Sequence, residues 1–214
     1  MTLESSKNLG GIGALLIVIG GLAFFGYPYG GLLSLVGVIL LLIGLKGMSD
    51  YYKEGGIFSN GLYAVIVSIV GGVVFAAVLV WTILAAIAQL GITDWTEWAA
   101  KIQQNSGDFT AVWNLVSPIV VGVVVSFVVL YVFVIIAAIL YRRSLNKLAE
   151  KSAVGTFKTA GLLLLIGAVL TIILVGFILI WIAFILITVA FFSVKSTSPP
   201  PSPSPPTTSP LPPG

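Results

Sequence analysis

The chain has 214 residues, 58% hydrophobic and 8% charged, with a mean hydropathy of +1.16. A water-soluble domain carries about 25% charged residues, so most of this surface must face lipid. Cys and His are absent, which excludes disulfides, thiolate metal sites, Cys–His catalysis and histidine proton switches. The few basic residues are not interleaved with aromatics, and no nucleic-acid role is expected.

A membrane-crossing helix needs about 20 apolar residues. Residues 9–25 and 30–46 are two such stretches, joined by a turn at Gly26-Tyr27-Pro28-Tyr29 whose aromatics suit an interface. Lys7 before the first stretch resembles the start of a secretory leader. More apolar sequence follows, however, with no small-x-small site before a polar stretch, so residues 9–25 are read as a retained helix. Residues 61–90 and 111–141 would each form about 45 Å of helix, longer than the ~30 Å hydrocarbon layer. They must therefore tilt, kink or project, and Pro118 after Ser117 is the kink site.

Between them, residues 94–104 predict a short helix lying on the membrane surface. Asp94 and Glu97 form a capping box, and Trp95, Trp98 and Ile102 share one face. Asn105-Ser106-Gly107 would end it, and a ligand-binding lid is the sharper alternative. Residues 159–194 as one helix would run about 54 Å, too long for one crossing. Broken near Gly176, they become two spans, 159–175 and 177–194. Residues 196–214 hold nine of the eleven prolines and read as a disordered, Pro/Ser/Thr-rich tail. If cytoplasmic, the tail would suit an aromatic-lined groove; if external, it would read as a glycosylated stalk.

The expected architecture is all-α: a polytopic transmembrane bundle of about six spans in three hairpins, residues 1–195, followed by the tail. Gly56-Ile57-Phe58 and Gly155-Thr156-Phe157 both read G-x-F ahead of an apolar run, which suggests that the hairpins repeat. Nine of the ten Lys and Arg residues lie at the N-terminus, in the second and fourth gaps, or after the last span. Lys101 alone lies in the third gap, with Asp94, Glu97 and Asp108. The positive-inside rule then places both termini in the cytoplasm of a multi-pass cell-membrane protein.

Apart from Lys46, the last residue of the second stretch, no Asp, Glu, Lys, Arg or His falls within the predicted spans, which argues against proton-coupled transport. The polar span residues are Ser34, Ser68, Thr82, Gln89, Asn114, Ser117, Ser126, Thr171 and Thr188. They read as helix-to-helix or self-bonding groups, with a path for an uncharged solute as the alternative. Gly13 and Gly20, and Gly37 and Gly44, are spaced by seven on one face each. Close packing within the bundle is the first reading, and a homo-oligomeric face is the other. Residues 142–158 read as a basic cytoplasmic linker that attracts membrane lipids or docks a protein partner. Asp50 and Glu54 read as a solvated capping face beside Lys46 and Lys53.

Several segments resemble a known family. They are Glu4-Ser5-Ser6-Lys7-Asn8-Leu9-Gly10-Gly11-Ile12-Gly13, Gly44-Leu45-Lys46-Gly47, Asp50-Tyr51-Tyr52-Lys53, Leu148-Ala149-Glu150-Lys151-Ser152 before Phe157, and Val189-Ala190-Phe191-Phe192-Ser193 before the Pro-rich tail. Together the chain is similar to an archaeal family of integral membrane proteins known as domain of unknown function 996. The resemblance implies an archaeal cell membrane and no established activity. No catalytic, cofactor-binding or metal residue is expected. The leading expectation is a non-enzymatic structural, scaffolding or accessory protein, and the alternative is a permease or channel for a neutral or apolar solute.

Overall fold

In a bilayer, backbone groups that water cannot reach must pair within their own segment, which restricts long apolar stretches to helices. The computed structural model describes residues 2–23, 26, 29–91 and 95–195. Its helices are α1 (Leu3–Ala23), α2 (Gly30–Tyr52), α3 (Gly55–Leu90), α4 (Trp95–Gln104), α5 (Phe109–Ser152), α6 (Thr156–Leu170) and α7 (Val175–Phe192). A single 3-10 turn, Thr171–Ile173, lies between the last two. Among the described residues there is no strand. Six helices, all but α4, are long and apolar enough to cross a membrane, α6 being counted with its 3-10 turn. The tail 196–214, Tyr27-Pro28 in the first turn and the capping role of Asp94 fall outside the described residues.

The three hairpins are α1–α2, α3–α5 and α6–α7. Their helices form a ring in which α2 packs on α3, α5 on α6, and α7 returns to α1. At the closure, Trp181 Nε1 donates to the Val18 carbonyl at 3.2 Å, and Gly10 and Gly11 lie beneath the rings of Phe191 and Phe192. The core concentrates where the charged residues collect. Met48, Ile57, Leu148, Phe157 and Phe191 are all fully buried there, and Phe157 meets Phe191 edge-to-face at 5.1 Å.

Three expectations change. The helix of the fourth span does not end at Tyr141, because α5 runs on to Ser152. Residues 142–152 of the expected basic linker are therefore helix, and only the few residues after Ser152 form a turn. Arg, Leu, Asn, Lys, Ala and Glu sustain a helix in water, so hydropathy marks where lipid ends and not where the helix ends. Helix α3 likewise starts at Gly55 and not Gly61, its first turn capped by the Glu54 carboxylate at the Gly56 amide. The break in the last hairpin lies at Leu174, in left-handed backbone with φ 64°, two residues before Gly176. Gly176 belongs to α7, and a β-carbon there would stand 2.1 Å from the Gly167 carbonyl oxygen. Its role is close approach to α6, not chain reversal.

The repeat is also visible in the backbone, one residue out of the sequence match. Lys53 (φ 52°) and Ala153 (φ 57°) each end a helix in left-handed backbone. The amide of Ile57 then donates to the Glu54 carbonyl, and that of Phe157 to the Val154 carbonyl. Ile57 thus occupies the place of Phe157, and both are fully buried. Phe58, the residue matched by G-x-F, is only half-buried.

The two long helices project. Tyr131 Oη donates to the Val169 carbonyl at 2.9 Å, which levels the last turn of α6 with Tyr131. Since α5 begins at Phe109, it continues for about 33 Å beyond that level. Along this arm α3 accompanies it, with Gly71 against Phe133 and Gly122 against Thr82, and Phe75 against Phe127 at 5.4 Å. Helix α5 passes through Pro118 without interruption. At the far end Asp108 caps α5, accepting from the amides of Thr110 at 2.9 Å and Ala111 at 3.2 Å.

Candidate functional site

Two regions combine the chemistry this chain possesses: the charged end of the ring, and a pocket where the arm parts from α6–α7. At the charged end the α2–α3 turn is closed on itself. The Glu54 amide donates to the Ser49 carbonyl at 3.0 Å, while Ser49 Oγ donates to the Glu54 carbonyl at 3.0 Å. The Glu54 carboxylate caps α3 through the Gly56 amide and takes a 2.7 Å hydrogen bond from Lys147 Nζ on α5. That bond, with the charge of Lys147 and more distantly of Lys151, holds the Glu54 carboxyl below the usual carboxylate range. Gly56 makes room for the lysine stem, since a β-carbon there would meet Lys147 Nζ at 2.5 Å. Beside this pair Ser144 Oγ, fully buried, donates to the Ile57 carbonyl.

Asp50 and Glu54, similar in sequence, therefore have different roles. Asp50 makes an exposed i,i+4 pair with Lys46 at 2.9 Å, worth about 0.3–0.5 kcal/mol. Glu54 joins two hairpins. The basic residues of 142–158 are divided likewise. Lys147 is held by Glu54, whereas Arg143, Lys151 and Lys158 are exposed. Such residues suit anionic head groups, at about 1 kcal/mol each near a charged surface. In α4, Lys101 pairs with Glu97 at 3.1 Å, and Trp98 and Ile102 are both half-buried.

Four of the nine polar residues expected inside the spans are turned onto their own helices. Ser68 donates to Ala64, Ser126 to Gly122, Thr171 to Gly167 and Thr188 to Phe184, all four residues back and within 3.0 Å. Ser34 lies against Gly20 and Thr82 against Gly122, while Gln89 and Asn114 are exposed on the arm. The four glycines spaced by seven all lie within the α1–α2 contact. Gly13 meets Gly37, Gly20 meets Gly30 and Ser34, and Gly44 meets Gly10. Their contacts are intramolecular and backbone-close. Among the described residues no group of three His, Cys, Asp or Glu is placed to hold a metal ion.

The pocket has a volume of about 150 Å³ and an almost wholly apolar lining, which includes Ala137, Ala138 and Tyr141 of α5, Ala168 of α6, and Ile180 and Phe184 of α7. Ser68 of α3 also reaches it, but its hydroxyl is turned to the Ala64 carbonyl. Sequence reading passed over this pocket because isolated alanines in apolar helices carry no local signal. Only the meeting of four helices makes them a lining.

Residues 33–185 match the family model described as "Protein of unknown function (DUF996)". The chain belongs to the DUF996 family. The matched range runs from α2 into α7 and so contains the Glu54–Lys147 link and the pocket. The resemblance at residues 44–53 and 148–157 lies inside it, and the opening and closing segments lie outside it. An uncharacterized protein of Methanocaldococcus jannaschii, MJ1644, is 30% identical over 178 residues, spanning 83% of this chain and 85% of the relative. No solved structure matches this DUF996 member.

Proposed function

We propose that the protein is a non-enzymatic, multi-pass component of an archaeal cell membrane with a structural, scaffolding or accessory role. The observation that carries this reading is how the ring interior is filled. Glycine-to-backbone contacts join α1 to α2 and α6 to α7, and among the described residues the buried side chains are apolar apart from Tyr141 and five Ser and Thr residues whose hydroxyls each donate to a backbone carbonyl. A transport path needs polar groups that exchange partners with the solute, and an enzyme needs an acid, base or nucleophile facing a cleft. Such groups lie at the charged end, where the Glu54 carboxylate is already engaged by Lys147. The M. jannaschii relative supports an archaeal membrane. A cytoplasmic charged end, carrying both termini, follows from the positive-inside rule.

In this role the exposed basic residues of 142–158 and the Pro-rich tail are the contact surfaces. The decisive test joins two measurements on the full chain. Affinity purification from native membranes is expected to retain a stoichiometric protein partner. That partner should be lost when Arg143, Lys151 and Lys158 are changed to Gln or when residues 196–214 are removed. Liposomes containing the purified protein are expected to pass glycerol and urea no faster than empty ones. Accelerated flux without a retained partner would replace this reading with the permease for a neutral solute.

A further inference from the structure

The pocket beside Tyr141 exists because small side chains stand where four helices diverge. Ala137, Ala138 and Ala168 are each almost fully buried, yet all three border the about 150 Å³ space. Larger residues, Ile180 and Phe184, form its other wall. One helical turn from Val134, Tyr131 bonds the Val169 carbonyl at the end of α6. That bond holds the α6–α7 hairpin against the arm just where the gap lies. Leucines in place of the alanines would close the gap at no cost in apolar character.

The position of the pocket identifies what fills it. Ser68 lies 13 residues into α3 from Gly55, and Ile180 lies 12 residues from the Phe192 end of α7, placing the lining about 20 Å from the charged helix ends. The gap therefore opens at the depth of the hydrocarbon, not at a head group. Water gains nothing there, because it needs two to four polar partners and the lining is almost wholly apolar. An empty gap would forfeit dispersion contacts along its whole lining. A second copy of the chain cannot enter, because a helix with side chains is about 10 Å across. A flexible lipid tail can. The pocket also adjoins apolar surface open to lipid, with Ile172, Leu174 and Phe177 exposed on one side and Phe127 and Val132 on the other.

We propose that the tail of one membrane lipid inserts between the α3–α5 arm and the α6–α7 hairpin, its end seated against Ala137, Ala138 and Ala168. The lipid is then a resident part of the fold, which braces the two hairpins beside the Tyr131–Val169 bond. This inference rests on the spans lying in a bilayer and not on the scaffold reading, so either can fail alone.

The test is native mass spectrometry of the full-length protein extracted from its own membranes, comparing it with Ala137→Leu, Ala168→Leu and the arm-surface control Val124→Leu. The unaltered protein and the control are expected to carry one lipid of identifiable mass. In the two pocket variants the bound-to-free ratio should fall about tenfold, as expected when a couple of methylene contacts are displaced. Equal retention by all variants, or a retained mass that is detergent or a second copy only, would overturn the proposal. Because a leucine variant can fail to fold, the unaltered protein is also cross-linked with a lipid bearing a diazirine near its tail end. Labels are expected to concentrate in residues 134–141, 164–168 and 180–184. Even labelling over every lipid-facing helix would equally overturn it.

Discussion

Gly13 on α1 and Gly37 on α2 approach so closely that a β-carbon on either would stand 2.7 Å from the other's carbonyl oxygen. Between helices surrounded by lipid the hydrophobic effect supplies no drive, and close backbone approach supplies the dispersion that does. Because the obstructing atoms are backbone, no side-chain rotation relieves the clash. Gly37→Val is expected to cost about 1–3 kcal/mol, read as a lower unfolding midpoint in detergent. Gly72→Val, at a glycine with nothing within 4 Å, should leave the midpoint nearly unchanged.

The Glu54–Lys147 bond gives a pH signature. The folded carboxyl titrates below its ordinary value of 4.5, chiefly through the hydrogen bond and charge of Lys147. A lowered folded pKa means that the unfolded chain takes up the proton first, so this stabilisation is present above about pH 4.5 and is lost as pH falls through the folded value. Unfolding midpoints of the unaltered protein and Glu54→Gln should therefore differ at pH 7 and converge in strong acid. A gap that stays constant with pH would show that the carboxylate charge contributes nothing.

Ser144 Oγ and the Ile57 carbonyl join α5 to α3 in the buried charged end. Ser144→Ala leaves that interhelical bond unmade at a site water does not reach. The expected loss is about 1 kcal/mol, measured as a shift of the denaturation curve with no change in helix content.

Ala153 pays a steric penalty in left-handed backbone at φ 57°. Ala153→Gly removes it while adding some freedom to the unfolded chain. The balance is expected to raise stability by about 0.5–1 kcal/mol. A drop in the unfolding midpoint would mean that the residue's β-carbon packs usefully in the turn.

The native absence of cysteine makes single-cysteine labelling a clean test of orientation. Lys53→Cys, Ala153→Cys and Lys195→Cys are expected to be protected from an impermeant maleimide in intact cells. Asn105→Cys should react at once. Labelling of Lys195→Cys from outside would place the end of α7 on the opposite face and overturn the two-crossing account of α6 and α7.

Much of the architecture was legible in residues read one by one. Apolar stretches bounded by charged gaps, with residues 9–46 split at an uncharged turn and residues 159–194 split by their length, predict six helices, because the cost of burying a charge or an unpaired backbone group in lipid acts at every position independently. Pairing into hairpins followed from short gaps, and the glycine spacing of seven pointed correctly to α1 and α2. The turn positions were less legible. The chain reverses at Leu174, where two helices meeting through Gly167 and Gly176 impose a backbone that leucine itself disfavours. The equivalence of Ile57 with Phe157 was hidden because both are simply apolar, and only their shared first-turn bond reveals the register.

What the sequence determined alone is the solvent of each segment, since transfer into lipid depends on composition and length and not on neighbours. Which groups meet was decided by tertiary structure. Glu54 and Lys147 stand 93 residues apart, and three alanines become a pocket only where four helices diverge. Contacts of that kind depend on how the hairpins pack against one another, a geometric condition that no local run of residues encodes.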